Sequence, residues 1–127
     1  MFNFAGISIL IVDDEEYIRE VLVSYFDIMG ARTTTAQNGK EAIDYLMQQT
    51  FDVVITDVRM PGGDGIKLIK DINDKVSPKP KVFVCSGFND LNRSKINELD
   101  IAAIISKPFR SQELIEKVAS SLGLTDS

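Results

Sequence analysis

Phe51-Asp52-Val53-Val54-Ile55-Thr56-Asp57 is the stretch on which the fold turns. Val and Ile favour strands, and an apolar run without polar alternation suits a strand buried on both faces. The run ends in a carboxylate, and a string of turn formers follows: Arg59-Met60-Pro61-Gly62-Gly63-Asp64-Gly65. Asp57 therefore stands where a buried strand leaves the core.

Toward the N-terminus, residues 7–12 form a second apolar run, which stops at Asp13-Asp14-Glu15-Glu16. Ile18, Val21, Leu22, Tyr25, Phe26 and Met29 then recur at helical spacing. Acidic residues at the start suit the helix dipole, and Gly30 can end the helix. Residues 32–36 are Thr-rich and β-prone, a short strand. Asn38 can cap the next helix, whose apolar face is Ala42, Ile43 and Leu46, to about residue 49.

Beyond Asp57, Ile66, Leu68, Ile69, Ile72 and Val76 mark a third helix, and Ser77-Pro78-Lys79-Pro80 cannot be helical. Residues 82–85 are expected as a fourth strand ending at Ser86-Gly87. Residues 89–99 form a helix with a thin apolar stripe, Leu91, Ile96 and Leu99. Residues 101–105 are a fifth strand running into Ser106-Lys107-Pro108-Phe109. Leu114, Ile115, Val118, Ala119 and Leu122 define a last helix, which Gly123 can end. Five strands alternating with about five helices through short links predict an α/β fold, a parallel sheet covered by helices on both faces.

Composition narrows the chemistry. With 127 residues, one domain is expected, core about 7–122. Histidine is absent and Cys85 is the single cysteine, so a zinc site, histidine-based catalysis and an internal disulfide are excluded. The formal net charge of −5 argues against direct nucleic-acid binding. No apolar run approaches the ~20 residues a membrane span needs, and residues 1–6 are too short for a signal peptide. A cytoplasmic location is expected.

In open α/β sheets, ligands bind beyond the carboxyl ends of the strands. Those ends carry Asp13 and Asp14, Asp57, Ser86 and Lys107. Singly, each has a plain role: helix cap, turn former, turn hydroxyl, solvated lysine. Together, three carboxylates at one sheet edge repel each other, by about 4 kcal/mol per pair at ~4 Å and an effective dielectric near 20. Either their pKa values rise or a cation sits among them. An all-oxygen donor set favours a hard cation such as Mg²⁺, which also brings phosphate oxygens. With a hydroxyl and an ammonium at the same rim, the set suits phosphoryl transfer to a carboxylate.

Four pieces in this order resemble the receiver domain of two-component response regulators: Ile11-Val12-Asp13-Asp14-Glu15, Val54 through Gly65, Ser86-Gly87 and Lys107-Pro108-Phe109. The resemblance implies a flavodoxin-like, doubly wound five-stranded parallel sheet of order 2-1-3-4-5. It implies that Asp57 is the phosphoacceptor, attacking phosphorus in line to give an acyl phosphate. Asp14 would ligate Mg²⁺ directly, Asp13 would hold a metal-bound water, and the backbone carbonyl of Arg59 would be a further ligand beside Asp57. Ser86 and Lys107 would bind phosphoryl oxygens, and Lys107-Pro108 would be cis. Arg59 and Phe88 occupy the two variable positions that flank the phosphoryl group. Ile104 stands where the family often has Tyr or Phe, the ring of an aromatic switch, and Gly63 where Met is frequent. The implied partners are a sensor histidine kinase or histidine phosphotransfer protein upstream and a protein target downstream. With only a short polar tail after Leu122, the expectation is a single-domain regulator of the chemotaxis type, residues 1–127, without an output domain.

Two other classes compete. An Asp-nucleophile phosphatase would carry its nucleophile after the first strand in an Asp-x-Asp pattern, whereas this chain has adjacent Asp13-Asp14 and no cap domain. A degenerate, non-phosphorylated docking domain would have lost site residues, whereas all five family positions are filled.

Overall fold

The computed structural model describes residues 1–60, 64–87 and 99–125. In chain order the elements are β1 Ser8–Val12, α1 Glu16–Ile28, β2 Arg32–Ala36, α2 Gly39–Gln48, β3 Val53–Asp57, α3 Asp64–Lys75, β4 Lys81–Ser86, β5 Ala103–Ser106 and α4 Ser111–Ser121. The expected helix over residues 89–99 falls outside the described residues except for Leu99, as does the turn at Pro61-Gly62-Gly63. The strands form one parallel sheet of order β2-β1-β3-β4-β5. This is the expected α/β architecture, with β1 and β3 as neighbours.

Period-2 alternation divides the core into two layers. Ile9, Ile11, Val53, Ile55, Phe83, Cys85 and Ile105 meet Leu22 and Phe26 of α1 and Leu114, Ile115 and Val118 of α4. Leu10, Val12, Val54, Val82 and Val84 meet Ala42 and Leu46 of α2 and Leu68, Ile69 and Ile72 of α3. All five residues of β3 are buried, as its unbroken apolar run implied.

The helix ends follow their local chemistry. Asn38 caps α2, its side chain accepting the Glu41 amide at 2.8 Å. Gly30 follows α1 with φ of 97°, a conformation that would strain a side chain. Gly65, at the start of α3, lies against the strand end it follows. A Cβ there would come within 2.4 Å of the Val58 carbonyl oxygen and 2.7 Å of that of Asp57. Only glycine lets the helix begin this close to the end of β3.

Several boundaries differ from expectation. β4 gains Lys81 and Ser86. β5 starts at Ala103, because Ile101 and Ala102 approach the sheet through one bond, Ala102 N–H to the Val82 carbonyl at 2.7 Å. Tyr25, placed on the apolar stripe of α1 by spacing, is 45% exposed, and the buried face is the narrower set Leu22 and Phe26. Two X-Pro bonds are cis: Lys107–Pro108, as expected, and Ser77–Pro78.

One residue of the N-terminal segment, Phe4, belongs to the core, which the segment's length alone concealed. Phe4 is fully buried, packs its ring tilted against Phe26 with centroids 5.4 Å apart, and donates its amide to the Met29 carbonyl at 2.8 Å. It closes the end of the sheet opposite the strand carboxyl ends. Phe4→Ala is expected to lower unfolding free energy by about 3–5 kcal/mol. Urea denaturation measures this, and a loss below about 1 kcal/mol would mean the segment is dispensable.

Candidate functional site

The sheet brings its charged residues together by register. The β3–β4 ladder runs one bond past β3, Val58 N–H to the Cys85 carbonyl at 3.1 Å. The β4–β5 ladder runs one bond past β5, Lys107 N–H to the Ser86 carbonyl at 2.8 Å. The carboxyl ends of β3, β4 and β5 are thus level. On the other side of β3, the Asp13 amide continues the β1–β2 pairing to the Ala36 carbonyl at 3.1 Å.

Asp57 is 8% exposed and both its oxygens are engaged. Oδ1 accepts the Arg59 amide at 2.9 Å, the turn role its sequence suggested. Oδ2 accepts Lys107 Nζ at 2.5 Å, a charge-assisted bond from a residue 50 positions away. Asp13 is 5% exposed, its Oδ1 accepting the Glu15 amide at 2.9 Å. Asp14 is exposed. Neither aspartate is the N-cap of α1. That residue is Glu15, whose side chain makes no capping bond.

One carboxylate oxygen from each of Asp13, Asp14 and Asp57 lies within 4.8 Å of the others. Opposite ligands of one Mg²⁺ are about 4.2 Å apart, at ~2.1 Å each. The observed span suits a cation held directly by some of these carboxylates and through water by another. The donor set is all oxygen, which fits a hard cation.

The electrostatics agree. Burial pushes the Asp13 carboxyl up from 3.8 to about 6; Asp57 and Asp14 add repulsion, against the opposing pull of the Glu15 amide and Lys107. Burial alone would lower Lys107, but the hydrogen bond and charge of Asp57 outweigh it and hold the ammonium above its ordinary value. Cys85, in register with Asp57, is buried beneath the site, and desolvation pushes its thiol up to about 12. It is an inert core residue.

Ser86 is fully buried at the end of β4. Ile104 is half-buried and packs on the α2–α3 layer beside Val84. Phe88 lies outside the described residues, and Arg59 is exposed. A cleft of about 500 Å³ opens beside the acidic cluster, between Ile18, Val21 and Leu22 of α1 and Pro108-Phe109.

Sequence reasoning missed Arg19, whose Nη1 donates to the Asp13 carbonyl at 2.7 Å. Its only signal was a lone cation among Glu15, Glu16 and Glu20.

Known proteins share this fold. The family model described as the response regulator receiver domain matches residues 9–119. Transcriptional regulatory protein ResD of Bacillus subtilis is 32% identical over 115 residues, 91% of this chain and 48% of that protein. Regulator of RpoS of Escherichia coli is 32% identical over 105 residues, 83% of this chain and 31% of that protein. The chain therefore spans a third to a half of these relatives. A response regulator receiver protein from Pseudomonas putida superposes with TM-score 0.83 at 30% identity, covering 91% of this chain and 98% of that one. A CheY-like receiver domain protein from Methanospirillum hungatei superposes with TM-score 0.80 at 27% identity, covering 91% and 94%.

Asp13 sets a pH dependence. Its carboxyl binds a proton more tightly in the folded state than in the unfolded chain, so metal-free stability falls as pH rises from about 4 to about 6. At about 1.4 kcal/mol per pH unit, its contribution is on the order of 2–3 kcal/mol. In chelator, Asp13→Asn should therefore gain stability relative to wild type across that window. Unfolding curves at pH 4, 5, 6 and 7 check this. Parallel pH profiles for the two proteins would contradict it.

Proposed function

The chain belongs to the response regulator receiver domain family, a signalling family of two-component systems, and on that premise we propose that it is a Mg²⁺-dependent phosphoacceptor switch. The observation that carries this reading is Asp57, buried at a strand end with Oδ2 on Lys107 and two further carboxylates within 4.8 Å.

In the proposed reaction an Asp57 carboxylate oxygen attacks phosphorus. The phosphorus–nitrogen bond to a partner's phosphohistidine breaks, its electron pair leaves with the imidazole nitrogen, and an acyl phosphate forms on Asp57. Lys107 neutralises the acceptor beforehand and passes to a phosphoryl oxygen afterwards. The Arg59 amide keeps the other carboxylate oxygen oriented. Asp14, Asp57 and the Arg59 backbone carbonyl would hold Mg²⁺ directly, and Asp13 through a water. When bound, the metal would offset the charge of the carboxylates and phosphoryl oxygens. Ser86, buried at rest, would turn to the phosphoryl group, and the changed surface would be read by a downstream protein. With Ile104 at the aromatic-switch position, that response would run without an inward-turning ring. The donor would be a sensor histidine kinase or histidine phosphotransfer protein in the cytoplasm. Residues 1–127 would form one receiver domain.

No helix among the described residues is long and apolar enough to cross a membrane.

Incorporation of phosphate from a small phosphodonor tests the reading. It should require Mg²⁺, vanish in Asp57→Asn and in Asp14→Ala, and leave the fold of both variants intact. Incorporation persisting in chelator would refute it, and turnover of external phosphomonoesters would favour a phosphatase.

The lifetime of the acyl phosphate follows from the flanking positions. Hydrolysis needs a water opposite the leaving Asp57 oxygen, and neither Arg59 nor Phe88 offers a basic acceptor to orient it. The phosphorylated protein is expected to decay more slowly than Arg59→Asn and Phe88→Glu variants after the donor is removed. Equal or faster decay of the wild type would exclude this role.

A further inference from the structure

Arg19 takes no part in the chemistry proposed above, yet it is bonded to the backbone that carries two of the three carboxylates. Three bonds fasten the loop from Asp13 to Glu15 at Asp13, beside the backbone bond from the Arg19 amide to the Glu15 carbonyl at 3.2 Å. The Asp13 amide binds the Ala36 carbonyl at 3.1 Å, which fixes where β1 ends. The Glu15 amide binds Asp13 Oδ1 at 2.9 Å, which fixes that side chain. Arg19 reaches back from the first turns of α1 and binds the Asp13 carbonyl at 2.7 Å. The peptide bearing this carbonyl continues into the Asp14 amide, so its orientation sets the direction in which the Asp14 side chain leaves. Asp14 is exposed and has little packing of its own to aim it. The half-buried Arg19 supplies a charge-assisted bond that persists at every ordinary pH.

We propose that Arg19 is a positioning residue, holding the Asp13–Asp14 peptide so that the acidic cluster converges on a divalent cation. This rests on the reading of the cluster as a Mg²⁺ site. A fixed positive charge close to carboxylates also competes with a cation, and that effect has the opposite sign on metal affinity. The sign of the change therefore decides between the two roles.

The experiment uses the full chain as wild type, Arg19→Met and Arg19→Lys. Mg²⁺ is titrated while amide resonances are followed, and thermal unfolding is measured in chelator. Arg19→Met is expected to raise the Kd for Mg²⁺ about tenfold, the scale for loss of an outer partner of a metal ligand. It should also shift the Asp14 amide ¹⁵N resonance in the metal-free protein, which reports the lost bond on the shared peptide. Its unfolding midpoint should fall by only a few degrees, about the scale of one half-buried hydrogen bond, since Met and Arg have similar helix propensity. Phosphate incorporation should recover at saturating Mg²⁺, and Arg19→Lys should restore part of the affinity. Tighter Mg²⁺ binding by Arg19→Met would overturn the proposal in favour of charge competition. A lowered midpoint with unchanged Kd would overturn it in favour of a structural role. Absence of Mg²⁺ binding by the wild type would sink the reading of the cluster and this proposal with it.

Discussion

The Asp57–Lys107 pair is the constraint around which the rest is arranged. A carboxylate at the end of a strand buried on both faces is costly unless a cation or several donors meet it. Lys107 directly follows β5, and β4 stands between that strand and β3. The pair can form only if three strands end level, and the two backbone bonds beyond the ladder ends keep them so. The strand order then adds β1 on the other flank of β3, which delivers Asp13 and Asp14 to the same carboxylate. The ammonium offsets only part of the cluster's negative charge, and the remaining repulsion adds to the burial that chiefly raises the Asp13 carboxyl.

Much of this was legible in the residues, because in a parallel sheet the strand ends and the site are the same place. The unbroken apolar runs of β1 and β3 marked both strands, and the carboxylates that stop them marked the site. Alternation carries more than was taken from it. Ile9 and Ile11 lead in steps of two to Asp13, Val53 and Ile55 to Asp57, and Ile105 to Lys107. All of these apolar residues lie in the layer beneath α1 and α4. The three charged residues continue one face of the sheet past its apolar end.

What stayed hidden depended on contacts that spacing does not encode. Phe4 belongs to no periodic element, and its burial arises from Phe26 and Met29 after the chain has folded back. Tyr25 keeps helical register with core residues yet sits at the edge of the stripe, where the angle to the sheet decides exposure. Arg19 was invisible as a site residue because its target is a backbone carbonyl, which every residue has. Gly65 read as a turn former, although its smallness also serves the close seat of α3 on the end of β3.

Cys85 carries a practical consequence. It is the chain's single thiol, and it lies buried and protonated beneath Asp57. Thiolate-seeking reagents at neutral pH will pass it over in the folded protein. A cysteine introduced on an exposed helix face can therefore be derivatised selectively, with the native thiol left in place. Fluorophores or spin labels can then report on the folded domain without disturbing the layer that supports its phosphoacceptor.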